Sequence, residues 1–74
     1  LRVARRRPRP GDITTIRDLF KFKSTWVVIL NGKQYGRSMF KNGEIPGEVL
    51  EKTVKVEDIW IIYGNWLYFC KEVV

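Results

Sequence analysis

Few side chains in this sequence are equipped for chemistry. There is no histidine, which removes the commonest general base, the histidine-based triads and the usual zinc sites. The one cysteine, Cys70, can form neither a thiolate cluster nor an intramolecular disulfide. Read on a strand opposite Ile59, it is expected to be a buried, inert thiol. Glu44, Glu48 and Glu51 share one side of a short helical turn, where they are expected to form a solvated face and not a cation site. Glu57 and Asp58 are neighbours on a strand and point to opposite faces. No glycine-rich phosphate loop of either common type occurs. The reading is a non-enzymatic protein with no catalytic residue, no metal and no cofactor.

Binding is better provided for. The net charge of +6 is unevenly spread. Arg2, Arg5, Arg6, Arg7 and Arg9 precede Gly11 with no acid among them, while residues 11–74 carry nine basic and eight acidic side chains. An arginine cluster of this kind releases counterions from a phosphate backbone. With Lys33 it forms the candidate nucleic-acid contact. The second resource is aromatic: three Trp, three Tyr and four Phe in 74 residues. Trp26, Tyr35, Arg37, Trp60 and Trp66 are the candidate contacts for a protein partner, because rings and arginine dominate interface energetics. The same mixture of rings and cations can stack single-stranded nucleic acid. With a nearly neutral core, a protein partner is favoured for the sheet.

The elements that must position these residues follow from local patterns. Pro8 and Pro10 disfavour helix, so residues 1–11 read as a flexible arm and 12–74 as one domain. Asp12–Lys23 reads as a short helix capped by Thr15, with Ile16, Leu19 and Phe20 forming one apolar stripe. Thr25–Phe40 reads as a hairpin turning at Asn31-Gly32. Its register pairs Leu30 with Lys33, Val28 with Tyr35 and Trp26 with Arg37, and sets Gly36 opposite Val27. Ile45–Glu51 suits one or two helical turns, with Pro46 at the first helical position. Val54–Val74 reads as a second hairpin turning at Gly64-Asn65. That register pairs Tyr63 with Trp66, Ile61 with Tyr68, Trp60 with Phe69 and Asp58 with Lys71. Both faces of this hairpin are apolar near its turn, so it is either sandwiched or left open to a partner or a second copy.

The expected fold is therefore α+β: an N-terminal helix, then two antiparallel hairpins forming a four-stranded sheet or roll, with a helical turn between them. Arg17-Asp18-Leu19, the Asn31-Gly32 hairpin, Ile45–Leu50 and the Ile59–Tyr68 hairpin, in that order, resemble small accessory proteins of Firmicutes phages, prophages and mobile elements. The resemblance implies a protein that binds host or phage machinery, an inhibitor of a defence or regulatory complex being one version. It assigns no residue. A lone cysteine in so short a chain fits a reducing, cytoplasmic setting, and no apolar run reaches the ~20 residues of a membrane helix.

Overall fold

The computed structural model describes residues 6–74, which form an α+β domain built on one mixed five-stranded sheet of order β1-β4-β5-β2-β3. The strands are β1 (Ile13–Thr15), β2 (Thr25–Leu30), β3 (Lys33–Gly36), β4 (Thr53–Ile62) and β5 (Asn65–Glu72), with short helices α1 (Ile16–Phe20), α2 (Arg37–Lys41) and α3 (Gly47–Leu50). Neighbours pair antiparallel except β2 and β5, which run parallel at the centre. Their apolar runs, Trp26–Leu30 and Trp66–Cys70, lie in the interior of the sheet, with a strand paired on each side. The outer strands β1 and β3 are short, which limits the unpaired edge that each offers to another chain.

Thr15 caps α1 as expected, its Oγ1 accepting a bond of 3.2 Å from the Asp18 amide. Ile16, Leu19 and Phe20 are buried beneath it. The helix is shorter than the expected Asp12–Lys23, because Ile13, Thr14 and Thr15 pair with Lys55, Val54 and Thr53 as a fifth strand. The β2–β3 hairpin turns at Asn31-Gly32 with φ of 51° and 82°, the signs a type I′ turn requires. Val28 meets Tyr35 and Val27 meets Gly36 as expected. The expected Trp26–Arg37 pair does not form. The chain leaves the sheet after Gly36 to make α2, whose Phe40 stacks on Phe20 with ring centres 5.1 Å apart. Pro46 sits one residue before its expected place, at the cap of α3.

The turn of the last hairpin lies one residue earlier than expected, so each partner changes by two residues. Tyr63 and Gly64 are the turn residues, with φ of 50° and 78°, and Ile62 faces Asn65, so Ile61 meets Trp66, Ile59 meets Tyr68 and Asp58 meets Phe69. Glu57 is an extra residue, a bulge between Val56 and Asp58. The bulge is separate from the shifted turn, because every pair on its turn side keeps one register. It moves Val54 and Val56 onto the same side as Ile59 and Tyr68, which strict alternation cannot do. Cys70 consequently faces Val56, not Ile59.

The bulges at Trp26 and Glu57 give the sheet two unlike faces. On one, Val28, Leu30, Tyr35, Val54, Val56, Tyr68 and Cys70 pack with Ile16, Leu19, Phe20, Ile45 and Leu50 into one core. Among the described residues, the other has no helix on it.

Candidate functional site

The open face is read directly from the register. Trp60 on β4 lies beside Leu67 on β5 and then Val27 on β2; one step along, Asp58, Phe69 and Ile29 form the next row. None of these side chains belongs to the core cluster. The Trp60 and Phe69 rings touch with centres 5.3 Å apart and planes 56° apart, and the Trp60 indole N–H donates to Asp58 at 3.3 Å. Further along, Lys55 lies opposite Lys71. Like charges directly across a ladder repel, and neither lysine has a carboxylate partner among the described residues. An open depression of about 550 Å³ lies between Ile29, Phe69, Glu57 and Lys71.

The face continues into the projecting tip of the β4–β5 hairpin. Trp60, Ile61, Ile62 and Tyr63 are four consecutive large apolar residues, exposed by 56, 56, 45 and 99%. Tyr63 is the most telling of them. It sits in the left-handed region at a turn position suited to Asn or Gly, a conformation that costs an ordinary side chain about 1–2 kcal/mol. Neither the core nor the turn calls for tyrosine there.

Of the five expected partner contacts, only Trp26 and Trp60 are exposed. Tyr35 is buried in the core, with Lys33 Nζ 5.5 Å from its ring centre. Arg37 works inside the protein: its Nε donates to the Thr25 carbonyl at 2.7 Å, and its Nη2 to the carbonyls of Phe20 and Phe22. It thus satisfies carbonyls at the end of α1 that have no helical partner. Burial, and secondly the Arg7 charge, pulls its pKa below the usual arginine value. Trp66 is half-buried on the core side, stacked with Tyr68 at 6.1 Å. Sequence reasoning paired Trp60 with Phe69 but named none of Leu67, Phe69 and Tyr63 as a contact; the turn, one residue earlier than expected, puts Tyr63 at the tip and Leu67 opposite Trp60.

It also missed a second site. The Arg7 guanidinium enters a cradle of hydroxyls, donating to Thr25 Oγ1 at 2.9 Å, to the Tyr68 hydroxyl at 3.0 Å and to Ser24 Oγ. The Trp66 and Phe22 rings lie 4.2 and 4.9 Å from its centre. The Tyr68 hydroxyl in turn donates to the Pro8 carbonyl at 3.1 Å. Burial raises the Tyr68 pKa, while Arg7 opposes the shift. Just beyond, the Gly11 amide donates to the Val56 carbonyl at 2.7 Å, and Val56 returns a bond to Asp12. The described part of the expected arm is therefore held against the domain. Arg6 lies 3.9 Å from Asp12 and Arg9 is exposed; Arg2 and Arg5 lie outside the described residues.

The remaining chemical candidates are apart from one another. Glu51 turns to Arg17 Nε at 2.6 Å. Among the described residues no three potential metal ligands come together, and no helix is long and apolar enough to cross a membrane. Burial pushes the Cys70 thiol up to about 12, with a smaller push from Glu57. No protein-family model, curated protein or solved structure matches this chain.

Proposed function

We propose that this protein is a small non-enzymatic binding module that captures another protein with the open face of its sheet and the projecting β4–β5 tip. The observation that carries this reading is Tyr63, almost fully exposed in a left-handed conformation at the end of the apolar run Trp60–Tyr63. An exposed, contiguous apolar surface is the usual mark of a partner. Aliphatic side chains share it: Ile29, Ile62 and Leu67 surround Trp60 and Phe69, whose rings pack on each other. That composition fits apolar protein side chains better than stacked bases. Lys55 and Lys71 call for a carboxylate on the partner beside its apolar patch. This role is the one implied by the resemblance to phage and mobile-element accessory proteins.

The nucleic-acid reading is weaker, because Arg7 spends its donors on Ser24, Thr25 and Tyr68 and Arg6 lies near Asp12. The test uses the full chain as bait in lysate from cells that carry it. Trp60→Ala and Tyr63→Asn are expected to lose a protein that wild type and Lys41→Ala retain. Retention by all four overturns the reading. Binding of a single-stranded oligonucleotide at ~50 mM salt, unaffected by Trp60→Ala, favours the nucleic-acid alternative instead.

A further inference from the structure

A second surface, separate from the open face, has the makings of a recognition site. The cradle that receives Arg7 offers the Ser24, Thr25 and Tyr68 oxygens to one planar cation and lines it with the rings of Trp66 and Phe22. Hydroxyl acceptors and ring faces together match a guanidinium, which is flat, weakly hydrated and rich in donors. A lysine ammonium meets such a set less well, having a compact and strongly hydrated charge. Thr25 is a fully buried polar residue, and Arg7 is the donor its hydroxyl accepts from. Tyr68 is likewise buried and bonds to both Arg7 and the Pro8 carbonyl. The backbone carbonyl of the residue that follows the arginine is thus held beside the seated guanidinium.

Two features make the occupant exchangeable. No carboxylate pairs with the Arg7 guanidinium among the described residues, so the attraction lacks the ionic component of an Arg–carboxylate fork. Arg37 lies close enough for Arg7 to lower its basicity, so the seated cation is opposed by a like charge. The segment reaching the cradle enters the sheet's hydrogen-bonding pattern only from Gly11 onwards. Its hold depends on tethering, which supplies an effective concentration of about millimolar.

We propose that the Ser24–Thr25–Tyr68 cradle is an arginine-recognition site, which Arg7-Pro8 fills within the chain and which an exposed Arg-Pro segment of a partner polypeptide fills in exchange. The experiment follows the three tryptophan indole N–H signals by NMR in full-length wild type and in Arg7→Ala. The probes are acetyl-Ala-Arg-Pro-Ala-amide and its Lys-Pro counterpart. In Arg7→Ala the arginine peptide is expected to shift Trp66 saturably, leaving Trp26 and Trp60 unmoved. Its midpoint should be at least tenfold lower than that of the lysine peptide, and at least tenfold lower than in wild type. No saturable Trp66 shift, or equal midpoints in the two proteins, overturns the proposal. Should Arg7→Ala be unfolded alone, the arginine peptide must restore its folded spectrum in proportion to concentration; failure to do so overturns it equally.

Discussion

The two faces of the β4–β5 hairpin carry similar side chains and meet opposite fates. Trp66 and Tyr68 point to the side where three short helices close over the sheet, and the Arg7 guanidinium covers what the helices leave. Trp60, Leu67 and Phe69, on the same two strands, point to the side that carries no helix among the described residues. Ring content alone does not distinguish them. The distinction comes from strand alternation, which sends Trp66 and Tyr68 one way and Leu67 and Phe69 the other, while the bulge at Glu57 brings Val54 and Val56 to the side of Ile59 and Tyr68. One face holds the fold, and the other carries the proposed contact.

Stability should separate the two faces most sharply. Leu19→Ala removes a buried side chain from the covered face and is expected to cost about 2–5 kcal/mol. Trp60→Ala, on the open face, should cost under about 1 kcal/mol. Urea denaturation checks both, and equal costs would mean that the open face is covered in solution. Arg7→Ala comes next. It removes charged hydrogen bonds to Thr25 and Tyr68 together with the ring contacts, and a loss of about 2–3 kcal/mol is expected. A loss near zero would mean that Arg7 does not hold the arm against the domain.

The third prediction has the opposite sign. Tyr63→Asn relieves a left-handed tyrosine and should raise stability by about 1 kcal/mol, while weakening partner capture. Gain in both would remove the argument that Tyr63 serves a contact. The smallest effect concerns Cys70. Its buried thiol ionises near 12, whereas an unfolded thiol ionises at about 8.5. Its contribution is thus complete below about 8.5 and declines as pH rises towards 12. Native protein should resist a thiol reagent at pH 8 and react only after unfolding; fast native labelling would place Cys70 at the surface.

The local grammar of this fold was legible in its sequence, and its long-range decisions were not. Thr15 announces its cap, Ile16, Leu19 and Phe20 their stripe, and Asn31-Gly32 its turn, because each is written within a few neighbouring residues. The parallel contact between β2 and β5 joins segments about forty residues apart, and no short pattern encodes it. The strand β1 was hidden because Thr14 and Thr15 suit a helix start as well as an edge strand. The bulge at Glu57 reads as ordinary alternation until Val54 and Val56 must both reach the core. Trp60 was legible as a contact. Tyr35 and Arg37 were plausible by type, but their partners in the core, Val28 and the carbonyls ending α1, become visible only once the chain is folded.

The open face is the central claim, and site-specific photocrosslinking tests it most directly. A benzophenone amino acid is placed in the full chain at Tyr63, at Phe69 or, on the far side, at Lys41, and irradiated in cells that carry the protein. The account predicts that Tyr63 and Phe69 crosslink to the same protein and that Lys41 does not. Crosslinks from Lys41 alone, or to nucleic acid from every position, would contradict it.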